Sequence, residues 1–547
     1  MRVDGVVVLG LALVLGGLAL VAPCEVLALA LLAAIVLPLG RARKKLVIVA
    51  VLALAFGWAR ASFAEDHFER ARAKVDRKSL RCEGAAVVTS SPVRARGAFR
   101  FLATFDPSAC EGATERIEPA PTMLYAEDGE VARGDELRVV AQIAPPEEIW
   151  NVETGDPRPS EARRNVLRSG GVVGLVVVHR AHGPLAWIDR ARAHARHRID
   201  ATFDPDIAPL ARALVLGESD LSDDDDQAFR ASGLAHLLAV SGAHLVIVVA
   251  GFVAFVRALL SYLPALTARV DVARVAAVPG IVGSWIYADF AGGSGSAWRA
   301  AWMLSFALTA RALGRKADGP RAFALSLVAM ALVDPLVGFD VSFALSAAAT
   351  AGLFLFSRSA ADGIRKIAPF VPAKLATACS ASFGASVACA PILARIAPSL
   401  PAGGLLANLF AVPVGELAAL PLCLLHGILS PFPASERGCA VLASGGLRIV
   451  LYFARTFAAS AMRVPMLGSW QLAAFAFALV AFAVLRGGRR ALVVGVAIAF
   501  FVVAELGAIR FGKPHGVLRA TFFDVGQGDS ALVDFPNGRS MLIDGGG

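Results

Sequence analysis

The sequence predicts a polytopic α-helical membrane protein with a small β domain inserted between its helices. Of its 547 residues, 56% are hydrophobic and 18% are charged, against about 45–50% and about 25% in soluble globular domains. The excess lies in long apolar runs, and one polar, Arg-rich stretch between residues 60 and 210 interrupts them. These observations exclude a soluble enzyme, a fibrous protein and a disordered chain.

The first element, residues 1–59, is predicted to be a group of transmembrane helices. Apolar runs lie near 5–22, 25–40 and 46–59, each close to the shortest length that crosses a hydrocarbon core of about 30 Å. The basic cluster at 41–45 marks a cytoplasmic loop by the positive-inside rule. If both earlier runs cross the membrane, the N-terminus is cytoplasmic and the chain after residue 60 emerges on the outer face.

The second element, residues 60–210, is predicted to be a small antiparallel barrel or sandwich with helical flanks at 62–76 and 186–200. Short stretches rich in Val, Phe and Thr at 84–89, 98–105 and 135–143 are typical of strands. If this domain faces an oxidising compartment, Cys82 and Cys110 are the natural disulfide pair.

Basic and aromatic residues alternate within this domain, and two interpretations stay open. Arg94, Arg96 and Arg100 are interleaved with Phe99, Phe101 and Phe105, a mixture that suits the phosphates and bases of single-stranded nucleic acid. Alternatively, the Phe side chains form the inner face of a strand and the Arg side chains its wet face. The net charge of +9 fits a polyanion partner as well as basic cytoplasmic loops.

The third element, residues 211–510, is predicted to be a second set of membrane helices. Its apolar runs lie near 234–259, 273–290, 297–314, 321–337, 341–357, 375–395, 404–428, 440–460, 469–486 and 491–508. Pro413, Glu416 and Pro421 allow the 404–428 run to be broken or re-entrant. If every run crosses once, the last segment, 517–547, shares the outer face with the β domain. Its three predicted strands are too few for an independent core, so we expect the sequence to end inside a domain.

Residues 236–244 (HLLAVSGAH) resemble the central motif of the ComEC competence-protein family, the DNA-uptake channels of bacteria. Further segments resemble the family in the same order: 292–303 (GGSGSAWRAAWM), 334–343 (DPLVGFDVSF) and 406–413 (LANLFAVP). Asp340 and Val341 depart from the Gln and Leu that the family has there. The resemblance covers nearly the whole chain, and it implies anchor helices, an extracytoplasmic OB-like domain, a membrane channel and a hydrolase domain, in that order.

The tail resembles the opening of a metallo-β-lactamase-like α/β domain. The similar segments are 523–530 (FDVGQGDS) and 542–546 (LIDGG), with motif residues Asp524, Gln527, Asp529 and Asp544. In that superfamily the zinc or manganese ligands come later, in a His-x-His-x-Asp-His stretch that this sequence lacks. We therefore assign no catalytic or metal-binding residue in this chain and expect a divalent metal only for a complete hydrolase domain. The alternative is a plain strand–turn–strand with solvated aspartates.

Polar residues inside the apolar runs are the candidates for a DNA path. They are His236, Ser241, Gly242, His244, Arg299, Asn408 and Glu416. Ionisable groups in a bilayer are costly and usually face a water-filled cavity, which favours a translocation path; a packed, hydrogen-bonded His pair is the alternative. On one ideal helix His236 and His244 would stand about 80° apart, and Ser241-Gly242 between them can open that helix.

Two charged features carry both a functional and a structural interpretation. Arg299 either pairs a DNA phosphate or extends to the membrane interface. The aspartate run at 223–226 resembles a ligand set, but carboxylates before a helix more often cap its positive end.

The predicted function is transport of single-stranded DNA across the cytoplasmic membrane during natural transformation. The partners implied are single-stranded DNA, the lipid bilayer, a DNA receptor on the outer face and an ATP-driven motor in the cytoplasm, since the chain has no P-loop of its own. Two alternatives stay open: a membrane-anchored metal-dependent hydrolase or nuclease of the outer face, and a small-solute transporter with accessory domains.

Overall fold

The computed structural model describes residues 4–545, with gaps at 37–40, 76–77, 96, 112–116, 128–129, 147–150, 152–155, 219, 398, 465–467, 486, 512–515 and 527. Along the chain it contains three helices, a sheet region, linking helices, a long helical part and a small terminal sheet.

Three helices precede the sheet region: α1 (Gly5–Leu18), α2 (Pro23–Val36) and α3 (Arg41–Arg72). α1 and α3 lie so close that a Cβ atom on Gly16 would come within 2.3 Å of the Leu54 carbonyl oxygen. The apolar run at 46–59 and the expected flanking helix at 62–76 form one continuous helix, because the Ala, Arg and Glu residues at their junction all favour helix. α3 therefore leads directly from the membrane part into the sheet region.

The sheet region contains six strands in the order β1-β5-β6-β4-β3-β2. They are β1 (Leu80–Val88), β2 (Val93–Ala95), β3 (Ala98–Cys110), β4 (Ala120–Ala126), β5 (Glu136–Ala144) and β6 (Arg168–His179). β1 also pairs with β3, so the pairings form a cycle through five strands. The pairing of β4 with β6 is parallel, whereas the sequence predicted antiparallel pairing throughout. Alternate side chains of these strands, including Phe101, Phe105 and Val139, point inward and form a hydrophobic core.

Five helices link the sheet region to the long helical part or project from it. They are α4 (Arg158–Arg164), α5 (Pro184–Thr202), α6 (Ala208–Leu216), α7 (Asp223–Ala231) and α8 (Ala235–Leu238). The aspartate run at 223–226 forms the first turn of α7, where Ser222 Oγ accepts a hydrogen bond from the Asp225 N–H. The aspartates thus lie where the capping interpretation places them, at the positive end of a helix, which carboxylates stabilise.

The long helical part comprises thirteen described helices. The first eight are α9 (Gly242–Ser261), α10 (Pro264–Thr267), α11 (Val272–Val275), α12 (Ala277–Phe290), α13 (Gly295–Ala312), α14 (Gly319–Val333), α15 (Val341–Ile367) and α16 (Ala373–Ile396). The other five are α17 (Gly404–Val414), α18 (Leu420–Ile428), α19 (Pro433–Ala458), α20 (Ser469–Val484) and α21 (Gly487–Phe511).

Short strands accompany these helices. β7 (Ser399–Pro401) pairs with β8 (Ala461–Arg463), and the tail forms an antiparallel sheet of β9 (Arg519–Phe522), β10 (Ala531–Asp534) and β11 (Ser540–Ile543) in the order β11-β10-β9.

Seven helical segments of the described chain are long and apolar enough to cross a membrane. They are Lys45–Arg72, Gly242–Ser261, Val341–Ile367, Ala373–Ile396, Gly404–Ile428, Pro433–Ala458 and Gly487–Gly507. Shorter apolar helices such as α1, with 14 residues, extend only about 21 Å, less than a hydrocarbon core of about 30 Å. The protein is thus a multi-pass membrane protein, and its described residues contain seven full-length spans, where the sequence has about thirteen apolar runs.

The ends of α12 to α15 form two groups. At the end that we call the sheet end, residues of the sheet region and α4 bind the C-terminal ends of α12 and α14. The opposite end, the basic end, carries Arg269, Arg274, Arg311, Arg315, Lys316, Arg321, Arg365, Lys366 and Lys374. Arg321 Nε donates to Asp4 Oδ2 at 2.8 Å, so α1 begins at the basic end.

Candidate functional site

A polar group lies where α9 begins. Ser241 is the N-cap of α9, and its Oγ accepts a hydrogen bond from the His244 backbone N–H at 3.3 Å. The Ser241 N–H donates in turn to His244 Nδ1 at 3.4 Å. Because Nδ1 is an acceptor, the neutral imidazole carries its proton on Nε2. The 234–259 run is therefore two helices, α8 and α9, and the angle expected for one continuous helix does not apply to His236 and His244.

Glu416 completes this group from a break in another helix. Pro413 and Pro421 lie in the 404–428 run, and residues 415–419 between α17 and α18 form a π-helical turn. Prolines remove backbone donors, and π turns often mark functional sites. Ser241 Oγ donates to Glu416 Oε1 at 3.4 Å, and His244 Nε2 lies 3.6 Å from the same oxygen. We call Ser241, His244 and Glu416 the polar cluster.

Arg299 lies beside the polar cluster on the second turn of α13. Its side chain is 3% exposed; Nη2 donates to Ser346 Oγ at 2.7 Å and to Thr350 Oγ1 at 3.0 Å. A Cβ atom on Gly242 would be 3.8 Å from Nη2. The described acceptors of this guanidinium are the hydroxyls of Ser346 and Thr350 and the Met303 sulfur, and no described carboxylate forms a salt bridge with it. A buried cation without a counter-charge is costly; here hydroxyl acceptors and the Phe323 ring, 5.7 Å from Cζ, surround it.

The structure does not bring every candidate into contact with the polar cluster. His236 lies on α8, with Nδ1 3.0 Å from the Gly233 carbonyl oxygen. Asn408 lies on α17, and its buried Oδ1 has no hydrogen-bond partner among the described residues. Among the described residues no hydrogen bond or ion pair joins either of them to Ser241, His244, Glu416 or Arg299, so both stay predictions.

Sequence reasoning missed Ser346 and Thr350, although a signal was present. Ser342, Ser346 and Thr350 recur every four residues in the apolar helix α15, and this spacing places them on one face. Ser342 Oγ accepts from the Ser296 N–H at 3.0 Å. The stripe therefore holds both the start of α13 and the guanidinium of Arg299.

Ion pairs fasten the sheet region to the helix ends, and the first is centred on Arg133. Its Nη2 lies 2.8 Å from Asp189 Oδ1 and 2.6 Å from Asp289 Oδ2. Burial acts to lower the pKa of the Arg133 guanidinium, but hydrogen bonds to Asp289 and Asp189 outweigh it and raise the pKa above its ordinary value. Nearby, burial lowers the pKa of Arg192 to about 10.

A second ion pair, at the sheet end of the membrane helices, gives a structural role to Asp340, one of the two residues that depart from the family pattern. Its Oδ1 accepts from the N–H groups of Ser342 and Phe343, so it is the N-cap of α15. Its Oδ2 lies 2.7 Å from Nη2 of Arg163, whose Nε donates to Asp334 Oδ2 at 2.7 Å. An acid at position 340 thus links α4 to the membrane helix α15, a role that an amide supports less strongly.

The three arginines that were candidates for nucleic-acid contact, Arg94, Arg96 and Arg100, differ in their surroundings. Arg94 pairs with Asp200 at 3.3 Å and Asp220 at 3.6 Å and lies over the Phe99 ring. Arg100 is exposed, and Arg96 lies outside the described residues. Phe101 and Phe105 are buried in the core, as the inner-face interpretation expected, whereas Phe99 is only half-buried, with Arg196 Cζ 4.9 Å from its ring centroid. Nucleic-acid contact stays a prediction for all three arginines, with Arg94 already engaged by carboxylates.

Cys82 and Cys110 face each other on the paired strands β1 and β3 and are joined by a disulfide. The bond links the start of β1 to the end of β3. The remaining described cysteines are free.

The tail motif forms turns rather than a ligand set. Asp524 Oδ1 accepts from the Gly526 N–H, and Asp544, with a φ of 57°, accepts from the Gly545 N–H. Asp529 is exposed, and Gln527 lies outside the described residues. Nowhere in the described part of the chain do three His, Cys, Asp or Glu side chains form a group able to hold a metal. The residues present do not fit a metal site, and we derive no metal-dependent step.

Comparisons with known proteins agree on one family. A family model described as competence protein matches residues 214–489, a range that contains the polar cluster and Arg299. Competence protein ComA of Neisseria gonorrhoeae is 31% identical over 433 residues, which cover 76% of this chain and 58% of that relative. The chain thus spans less than two thirds of that relative's length. No solved structure matches the chain.

Proposed function

Since the chain belongs to the competence protein family, we propose that it carries single-stranded DNA across the cytoplasmic membrane during natural transformation. The observation that carries this proposal is Arg299, a buried cation with no described carboxylate partner, beside a polar cluster where α9 and α13 begin. A strand of DNA brings one negative charge per phosphate, which is the partner that this position lacks.

The polar cluster and Arg299 supply complementary parts of such a path. Arg299 attracts a phosphate, and the first N–H groups of α9 add the partial positive charge of a helix N-terminus. His244 and Ser241 offer hydrogen-bonding groups without a fixed positive charge. Such a mixture lets a polyanion enter without being held too tightly to move on.

Orientation follows from the two ends of the helical part. Basic residues collect at the basic end, which we assign to the cytoplasm by the positive-inside rule. The sheet end then faces outward with the sheet region. The tail sheet lies on the same side, because Asn151 of the sheet region exchanges hydrogen bonds with the backbone of Asp524.

The roles of the sheet region and the tail sheet follow from this orientation. We propose that the cyclic strand pairing of residues 80–179 is the OB-like domain, which receives DNA from a receptor on the outer face. The tail sheet is the opening strands of a metallo-β-lactamase-like domain. Inward movement requires an ATP-driven motor in the cytoplasm.

No structural observation specifically supports either alternative function, the anchored hydrolase or the small-solute transporter. A hydrolase anchored on the outer face does not account for the buried Arg299 or the intramembrane polar cluster. A small-solute transporter leaves the sheet region and the tail without a role. We therefore keep DNA transport as the single proposal.

The experiment compares Arg299→Ala with Arg311→Ala, a matched control at the other end of the same helix. Uptake of fluorescently labelled DNA into cells is measured together with the amount of inserted protein. Loss of a charged hydrogen-bonding group worth about 1.5–3 kcal/mol should slow uptake about tenfold or more for Arg299→Ala only. His236→Ala tests the other motif residue. Unchanged uptake in both Arg299→Ala and His236→Ala would remove these residues from the path.

A further inference from the structure

The corner of the sheet region where β6 leads into α5 exposes large apolar side chains. Val176 and Val178 on β6 are 63% and 68% exposed, and Leu185 and Trp187 on the first turn of α5 are 51% and 66% exposed. We call these four residues the β6–α5 corner. Soluble surfaces seldom group large apolar residues unless something covers them.

Hydrogen bonds place the β6–α5 corner relative to the ends of the membrane helices. Arg133 Nη2 donates to the Leu185 carbonyl oxygen at 3.4 Å and to Asp289 Oδ2 at 2.6 Å. Asp289 lies in the last turn of α12, and the next helix begins at Gly295, where an added Cβ would come within 2.4 Å of Asp340. Because Asp340 caps the membrane-crossing helix α15, the β6–α5 corner lies level with the ends of the membrane helices.

The chemistry of the corner fits the boundary between lipid and water. Tryptophan is enriched at membrane–water interfaces, and the aliphatic side chains of Val176, Val178 and Leu185 suit the upper acyl region. Arg180, in the loop between β6 and α5, is exposed and can reach headgroup phosphates.

We propose that the β6–α5 corner inserts into the outer lipid–water interface of the bilayer and seats the sheet region on the membrane. Continuity with the membrane helices through Arg133 and Asp289 carries this assignment. Single-stranded DNA is a poorer occupant, because bases stack on aromatic rings and three of the four side chains are aliphatic. The proposal goes beyond DNA transport and does not depend on it.

The test places a photo-crosslinking benzoylphenylalanine at position 187 of the full chain in nanodiscs of phosphatidylethanolamine and phosphatidylglycerol. The matched control carries it at Glu111, whose backbone N–H binds the Arg81 carbonyl oxygen at the other end of β1. Arg81 lies seven residues, or about 23 Å, along β1 from Val88, which binds Gly134 next to Arg133. A single-stranded oligonucleotide is added in a second arm.

We expect lipid adducts from position 187 and none above background from position 111, with or without the oligonucleotide. Absence of lipid adducts at 187 in inserted protein would overturn the proposal. Equal lipid adducts at both positions would overturn it as well, because the corner would not differ from a remote surface. Oligonucleotide adducts replacing lipid adducts at 187 would assign the corner to DNA instead.

Discussion

Asp340 gives the most sharply defined prediction, because its two carboxylate oxygens do different things. Oδ1 caps α15, whereas Oδ2 pairs with Arg163 from α4. Asp340→Asn keeps the cap, since Asn and Asp are equivalent N-caps, but loses the charge. Asp340→Ala loses both. The two substitutions therefore separate helix capping from the fastening of α4 to the membrane helices.

The magnitudes follow from the surroundings of the pair. The side chains of Arg163 and Asp340 are 25% and 13% exposed, so the pair is neither free in water nor fully buried. Arg163 retains Asp334 when the charge of Asp340 is lost, which avoids the about 3–5 kcal/mol cost of an orphaned buried charge. We expect about 1 kcal/mol for Asp340→Asn and about 1 kcal/mol more for Asp340→Ala through the cap.

The assay is unfolding of the purified protein in mixed micelles, followed by circular dichroism, as a double-mutant cycle with Arg163→Ala. In the Arg163→Ala background, Asp340→Asn should cost almost nothing. Arg164→Ala, at an exposed neighbour in the same helix, is the control and should leave the cost of Asp340→Asn unchanged. Equal costs for Asp340→Asn and Asp340→Ala, or an undiminished cost without Arg163, would refute the reasoning.

Two further predictions concern stability. Replacing Cys82 and Cys110 by Ser should destabilise the sheet region by about 3–4 kcal/mol for a separation of 28 residues, measured as faster limited proteolysis within it; an unchanged rate would contradict this. Gly352→Ala should cost about 1–3 kcal/mol, because its Cβ would lie 2.2 Å from the Gly384 carbonyl oxygen, whereas Gly363→Ala on the same helix meets nothing within 4 Å. Thermal unfolding checks the pair, and equal midpoints would disprove the close packing of α15 on α16.

The sequence was informative where a pattern is local. Apolar runs predicted the membrane helices, and alternation predicted strands at 84–89, 98–105 and 135–143; the second lies within β3, and the other two overlap β1 and β5 in all but one residue each. The Ser-Gly pair at 241–242 indicated an opening in a helix, and α9 begins there. Each of these features depends on residues close together in the chain.

Contacts between residues far apart in the chain could not be predicted from such local patterns. Arg163 and Asp340 are separated in the chain by strand β6, the helices α5 to α8 and six helices of the long helical part, and no periodicity connects them. The same holds for Arg133 with Asp289, and for Glu416 with Ser241. Asp340 was visible only as a departure from a family motif, and its partner required the structure. Tertiary contact, rather than propensity, assembles the candidate site.

In the proposed path, the DNA strand passes the start of α9. The most direct measurement places a photo-crosslinking residue at Ala243, exposed in the first turn of α9, and at Phe255, 65% exposed farther along the same helix, in cells taking up labelled DNA. We expect adducts with single-stranded DNA at 243 and none at 255. Continuing uptake with no adduct at 243, or equal adducts at both positions, would contradict it.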